Sequence, residues 1–277
     1  MIQLDELTFH YKKKKPLFDA INLKLEIGKV YGLLGKNGAG KTTLLKNMVG
    51  LLFPQGGACL IDGKPIKERT PEVLQEIFII PEQFSFPSLK IKKYVQLNAP
   101  FYPKFDWEAF MGYLREFELD ADQKLNALSH GQQKKVILAF GLATNTNWLI
   151  MDEPSNGLDI SSKSQFRKII ASALTEERGF IISTHQVKDI ENLIDNIVVL
   201  ENGKIIFNRT MQEISSSLSF SRLRKQEALE LALLYKEENL GGVEAIHRNE
   251  LGEDSRIDLE LLFKGIIEET EKINQAF

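Results

Sequence analysis

The chain has 277 residues, 43% of them hydrophobic and 26% charged, which excludes a disordered or fibrous protein and allows either one large domain or a domain with a smaller one appended. Lys and Arg total 35 against 38 Asp and Glu, a formal charge of −3, so no bulk positive charge is available to hold a polyanion and no nucleic-acid partner is expected. A single cysteine, Cys59, excludes an intramolecular disulfide and fits a reducing compartment, while His10, His130, His185 and His247 show no Cys/His metal spacing.

The opening Met1 to Glu6 lacks the charged head and apolar run of a secretory signal, and no apolar stretch approaches the ~20 residues that span a bilayer. The chain is therefore expected to cross no membrane itself. The run Lys12-Lys13-Lys14-Lys15-Pro16 reads as a solvated hairpin tip rather than a lipid contact. Next, Ile21, Leu23, Leu25 and Ile27 alternate with Asn22, Lys24 and Glu26, the period of a strand with one buried face, which predicts an antiparallel β layer. Val30 to Leu34 reads as a strand buried on both faces, and a helix is expected over Thr43 to Val49.

Further buried strands are predicted at Ile77 to Ile80, Trp148 to Met151, Phe180 to Ser183 and Ile197 to Leu200. Helical patterns such as Phe166, Ile169, Ile170, Ala173 and Leu174 separate them, and this alternation argues for a parallel α/β core. Residues 88–145 offer no comparable strand. They carry Trp107, Phe110, Met111, Leu114 and Phe117 at helical spacing, which reads as an inserted helical subdomain whose aromatic stripe is core packing rather than a ligand box. Glu201-Asn202-Gly203-Lys204 reads as a turn between two apolar runs. From about residue 215 the tail begins with serines, continues with a mixed-charge helix candidate and ends in Ile257 to Phe263.

Between the strand at Val30 to Leu34 and the helix that follows lies Gly35-Lys36-Asn37-Gly38-Ala39-Gly40-Lys41-Thr42, a match to G-x-x-x-x-G-K-[ST] in the strand–helix context that gives it meaning. Glycines at 35, 38 and 40 let the backbone turn so that amides face inward, and the helix start adds partial positive charge. Lys41 is expected to reach the β and γ phosphates and Thr42 to give its hydroxyl to Mg²⁺, which makes a nucleoside triphosphate the expected ligand. The strand Trp148 to Met151 leads into Asp152 and Glu153. It is expected to sit beside the phosphate loop in a parallel sheet, so that Asp152 holds Mg²⁺ through water while Glu153 faces the nucleophilic water.

Upstream of that strand stands Leu128-Ser129-His130-Gly131-Gln132-Gln133, and after it come Glu153-Pro154-Ser155-Asn156-Gly157-Leu158-Asp159 and Ser183-Thr184-His185. With the phosphate loop, in this order and spacing, these segments resemble the nucleotide-binding domain of ATP-binding-cassette (ABC) proteins over about residues 1–214. The resemblance implies an α/β P-loop NTPase fold: a mostly parallel sheet core, an N-terminal antiparallel β subdomain, a helical subdomain inserted at about 88–145, and residues 215–277 as a small C-terminal appendage.

The resemblance also implies a site shared between two cassettes. Ser129, Gly131 and Gln132 open a helix that faces the nucleotide on the other cassette, although the same residues form a capping box. His130 stands where the family most often has glycine. Glu153 is implied as catalytic base with Lys41, His185 as a contact of the γ-phosphate and attacking water, and Gln83, in Pro81-Glu82-Gln83-Phe84, as the loop glutamine near Mg²⁺ alongside Thr42 and Asp152. An isolated histidine at 185 would read as a surface helix-cap residue. Asp159 is implied at the dimer seam, with a helix N-cap as the plainer reading. Tyr11 is implied as the aromatic on adenine, with a core tyrosine beside Phe9 as the plainer reading. Lys36, Asn37, Ala39 and Thr43 complete the nucleotide contacts.

ATP and Mg²⁺ are the implied ligands. A separate integral membrane permease and a second copy of the chain, or a related ABC ATPase, are the implied partners, with the chain cytoplasmic and peripheral on the inner face of the cell membrane. Tyr102-Pro103-Lys104-Phe105-Asp106 and the tail Leu259 to Phe263 look like those of exporter-type bacterial ABC-2 ATPases. A soluble ABC ATPase acting on ribosomes or nucleic acid fits less well, because such relatives usually carry two cassettes or long coiled-coil insertions and no sustained heptads occur here. A nonhydrolysing regulatory cassette is disfavoured because Glu153 and His185 are both present.

Overall fold

The computed structural model describes residues 1–12, 15–250 and 255–277. Along the chain, β1 (Ile2–Phe9), β2 (Phe18–Leu25) and β3 (Val30–Leu34) lead into α1 (Lys41–Met48), followed by β4 (Gly56–Ile61), β5 (Lys64–Pro65), α2 (Pro71–Leu74) and β6 (Ile77–Ile80). Helices α3 (Ile91–Asn98), α4 (Trp107–Glu116) and α5 (His130–Ala143) then precede β7 (Trp148–Asp152), α6 (Ile160–Ala173), β8 (Gly179–Thr184), β9 (Asn196–Glu201) and β10 (Lys204–Thr210). The remainder is α7 (Met211–Ser217), β11 (Leu218–Leu223), α8 (Glu227–Glu230), β12 (Leu233–Asn239), β13 (Gly242–Arg248), α9 (Leu259–Glu268) and α10 (Thr270–Asn274).

The central sheet has the order β10-β9-β3-β8-β7-β6, parallel except for β10. Its inner strands are buried on both faces, and their two-residue period divides the interior into two cores. Tyr31, Leu33, Trp148, Ile150, Ile181, Val198 and Leu200 face α1 and the antiparallel sheet β2-β1-β4-β5. Val30, Leu34, Leu149, Met151, Phe180, Ile182, Ile197 and Val199 face α5, α6 and the helices inserted before them. The β9–β10 hairpin turns through Asn202 and Gly203, both at positive φ, as the Glu201 to Lys204 pattern predicts.

Carboxylate strand β7 is not the neighbour of the phosphate-loop strand: β8 lies between β3 and β7, which corrects the expected adjacency. The physical reason is that strand order is set by crossover connections rather than by local sequence. Helix α1 nevertheless passes against β7, which brings the phosphate loop to its carboxyl end.

Within the helical insert, Asp106 caps α4 by accepting from the Ala109 amide at 2.9 Å. Phe110, Leu114 and Phe117 are buried, each contributing about 1.5–3 kcal/mol by removal from water. Trp107 and Met111 remain exposed at 42% and 38%, so three of the five stripe residues are core and two are not.

The mixed-charge helix expected in the tail is a second correction. Only one turn, α8, is helical there; Leu233–Asn239 and Gly242–Arg248 pair as an antiparallel hairpin, with β11 on the other side of β13. Buried Tyr235 and Val243, Ala245 and Ile246 give these segments an inner face, and the intervening Asn239-Leu240-Gly241-Gly242 supplies the turn. Helix α9, capped by Asp258, covers that face, and Tyr235, Ile246, Leu259, Leu262 and Ile266 belong to the same apolar cluster as Ile214 and Phe207 of the preceding segment.

Candidate functional site

The carboxyl ends of β3, β6, β7 and β8 lie at one edge of the central sheet, where ligands of open α/β sheets bind. A cleft of about 650 Å³ opens there, lined by Tyr11, Lys15, Pro16, Leu17, Asn37, Gly38, Gly40, Lys41, Thr42, Thr43, Glu82, Glu153 and His185. Gly40, at φ 106°, precedes α1, and a β-carbon on it would sit 2.9 Å from the Phe18 ring, so the loop can follow this path only with glycine there.

Lys41 is buried, and its Nζ donates to the Gly35 carbonyl at 2.8 Å, which folds the side chain back over its own loop. The same Nζ lies 3.7 Å from Glu153 Oε1. Thr42 Oγ1 donates to Asp152 Oδ2 at 2.7 Å, and Ser183 Oγ donates to Asp152 Oδ1 at 2.5 Å. Asp152 is 2% exposed, so its charge is held by two hydroxyls on neighbouring elements.

Glu153 adopts φ 48°, left-handed backbone that a non-glycine residue enters at a cost. Its amide donates to the Ser183 carbonyl at 3.1 Å and to Ser183 Oγ at 3.2 Å, and its Oε1 lies 2.9 Å from His185 Nδ1. Its other oxygen, Oε2, is buried without a hydrogen-bond partner among the described residues. An orphaned carboxylate oxygen at a cleft wall is costly unless something polar meets it there.

Tyr11 lies beyond the end of β1 and is 44% exposed, so it is no core tyrosine. Its hydroxyl is 3.0 Å from Thr43 Oγ1, and its ring meets Phe9 edge-on with centroids 5.0 Å apart. Lys36 is exposed beside Ala39, with its Nζ 3.8 Å from Glu201. Gln83 is exposed and does not line the cleft, whereas its neighbour Glu82 does.

Ser129, Gly131, Gln132 and Asp159 are also outside this cleft. Ser129 Oγ accepts from the Gln132 amide at 3.2 Å and Gln132 returns a bond to the Ser129 amide, so the capping box is formed. Asp159 caps α6 by accepting from the Ser162 amide at 2.7 Å, and the amide and hydroxyl donors of Ser162 with that of Ser161 hold its carboxyl down at about 2. His130 stacks on Phe84, centroids 5.4 Å apart, and thereby touches the loop that carries Gln83.

Sequence reasoning missed Lys15, Pro16, Leu17 and Glu82 as lining residues and Ser183 as the partner of Asp152. Lys15 and Pro16 belong to the run expected only as a solvated hairpin tip, and Leu17 follows it directly; Lys13 and Lys14 of that run lie outside the described residues. Ser183 was within reach of the pattern, since parallel registry puts it directly opposite Asp152.

A family model described as ABC transporter matches residues 18–156, from β2 through the phosphate loop to the carboxylates. The chain belongs to the ABC transporter family. It is 28% identical over 242 residues to the ABC transporter ATP-binding protein YtrB of Bacillus subtilis, covering 87% of this chain and 82% of YtrB. It is 31% identical over 227 residues to the cobalt import ATP-binding protein CbiO of Salmonella paratyphi A, covering 77% of this chain and 82% of CbiO. Among solved structures, a dimeric post-hydrolysis state of the ATP-binding cassette MJ0796 bound to ADP and Pi shares the fold with a TM-score of 0.68 at 23% identity, covering 76% of this chain and 99% of that one.

As a member of this family the chain is a transporter's ATP-binding subunit and an ATPase, with ATP and Mg²⁺ as its ligands. The donor set at the cleft fits those ligands. The glycine-rich loop that lines the cleft with Lys41 suits phosphate, and the hydroxyl of Thr42 beside the carboxylate of Asp152 is a hard-oxygen pair of the kind Mg²⁺ takes. Among the described residues no helix is long and apolar enough to cross a membrane.

Proposed function

We propose that this chain pairs with a second copy of itself, or with a related cassette, around two MgATP, and that the closing and opening of the pair drives a separate membrane-spanning permease, for export. The observation that carries this reading is the separation of the two halves of the phosphate machinery. Lys41, Thr42, Glu153 and His185 line the chain's own cleft, whereas the helix start at Ser129, Gly131 and Gln132 does not. A γ-phosphate that meets both sets must lie between two cassettes. Asp159, exposed at the start of α6, belongs to the same seam.

Within each cleft, the amides of residues 35–42 and the Lys41 ammonium hold the β and γ phosphates, and Tyr11 stacks on the adenine. Mg²⁺, held by Thr42 and Asp152 and approached by Gln83, would supply charge neutralisation on the phosphate oxygens. Glu153 takes the proton of the water that attacks the γ-phosphorus, and His185, hydrogen-bonded to Glu153, orients that carboxylate and the water. Residues 1–214 form the ATPase cassette in this reading and residues 215–277 an appended region, with the chain peripheral on the inner face of the membrane.

Export rests on the exporter-like segments at Tyr102 to Asp106 and Leu259 to Phe263; the similarity to CbiO, whose name says import, leans the other way, and ATP-dependent uptake of cargo into inverted vesicles separates the two. The pairing is tested with Glu153→Gln, which should keep ATP binding and accumulate a closed dimer with MgATP in sedimentation. A nucleotide-bound monomer at all concentrations would refute it. Detergent co-purification from native membranes should bring down a multi-spanning protein in stoichiometric amount; recovery with ribosomes instead would overturn the transport reading.

A further inference from the structure

Lys134 lies in the polar run Gln132-Gln133-Lys134-Lys135, where a solvated side chain is expected, yet it is 1% exposed. From α5 its Nζ donates to the Glu153 carbonyl at 2.5 Å and to the Asn156 carbonyl at 3.0 Å. Burial pushes its pKa down, and the nearby carboxylates of Glu82, Glu153 and Asp152 oppose that shift. A buried ammonium is costly, so its retention in the interior calls for partners that use it. Both partners belong to the segment that turns out of β7, and one is the carbonyl of the residue at φ 48°. The helix start also approaches this turn closely: a β-carbon on Gly131 would sit 3.1 Å from the Gly157 carbonyl.

We propose that Lys134 is a positioning residue for ATP hydrolysis, its ammonium pinning the left-handed backbone from which Glu153 reaches the cleft. The proposal rests on the reading of Glu153 as the base. Lys134 does not line the cleft and touches no reacting atom; it acts by fixing the peptide that aims the carboxylate and by tying the Ser129 helix to the same turn. Helix α5 and the Glu153 turn therefore move as one body, so displacement of the helix start is felt at the carboxylate of its own chain.

The test is a two-by-two comparison in the full-length chain of Lys134→Met, which keeps the stem and removes the donors, with and without Glu153→Gln. Lys134→Met should lower kcat about 30-fold, inside the roughly 10²-fold that a 1 Å misplacement can cost, with the KM and Kd for MgATP changed less than about twofold. In the Glu153→Gln background it should lower the residual turnover by no more than about twofold, because the group it positions is already gone. An unchanged kcat in a folded Lys134→Met protein, or the same 30-fold loss in both backgrounds, overturns the proposal. Where Lys134→Met does not fold, Lys134→Gln, which keeps an N–H donor, carries the same comparison, with an intermediate kcat loss confined to the Glu153 background as the expected result. Failure of the base reading is separately visible as a Glu153→Gln protein that turns over normally.

Discussion

Ser183→Ala is the sharpest probe of how the two carboxylates are held. The hydroxyl donates to Asp152 Oδ1 and accepts from the Glu153 amide, so one atom supports both acidic residues. The second of these bonds is partly redundant, because the same amide also donates to the Ser183 carbonyl at 3.1 Å and keeps that partner in the variant. The first is not. Asp152 is almost fully buried, and its remaining side-chain donor is Thr42 Oγ1. Loss of a hydrogen bond to a buried charge costs about 1.5–3 kcal/mol, and removal of one oxygen leaves too small a void to add much, so the expected destabilisation is about 2 kcal/mol. That corresponds to a fall in Tm of about 4–8 °C for a domain of this size. Urea denaturation of the ligand-free protein should show a lower midpoint with an unchanged slope. A loss below about 0.5 kcal/mol would refute the claim that Ser183 holds Asp152.

Lys41→Ala removes the cleft-lining cation proposed to hold the phosphates and should weaken ATP binding at least about 100-fold by titration calorimetry, as expected for lost charge-assisted bonds; undiminished affinity would sink the phosphate-loop assignment. Gly35→Ala places a β-carbon 2.5 Å from the Leu200 carbonyl, a backbone atom that cannot rotate away, so a stability loss of about 1–3 kcal/mol is expected, and a denaturation midpoint equal to wild type would contradict the loop path. The Asp159 carboxyl, held at about 2 in the folded chain against an unfolded value near 3.9, contributes stability that is complete above the unfolded value and is lost as pH falls from there through about 2. An NMR titration should find that midpoint, and one near 4 would show that the cap bonds do not form.

The central strands were readable because strands buried on both faces must be apolar, and Val30 to Leu34, Ile77 to Ile80 and Trp148 to Met151 are uninterrupted runs between turn signals. Their order was not readable, since nothing in Trp148 to Asp152 records that β8 separates it from β3. In the tail, Glu227, Glu230, Lys236, Glu237 and Glu238 supply charge at spacings compatible with a helix, and what decides for strands is burial of Tyr235 against β13 and α9, a long-range fact. Lys134 was illegible for the opposite reason. Its neighbours Gln132, Gln133 and Lys135 are less buried, and only the turn after β7 makes an interior position tolerable for a lysine.

Asp152 and Glu153 are adjacent carboxylates placed in different environments, and the difference follows from one dihedral angle. Successive residues of a strand point to opposite faces, so an extended Glu153 would turn its side chain away from the face that Asp152 uses. The left-handed φ of 48° ends β7 between them and breaks the alternation, which lets both carboxylates lie at one sheet edge. Asp152 then has both oxygens engaged by hydroxyls, while Glu153 has one oxygen shared with His185 and Lys41 and the other unpartnered. A carboxylate with both oxygens engaged is suited to holding a fixed ligand, whereas one with a free buried oxygen is suited to accepting a proton from whatever enters. The backbone strain at Glu153, about 1–2 kcal/mol for a non-glycine residue, is thus tied to the different hydrogen-bonding environments of the two acids, which a regular strand could not provide.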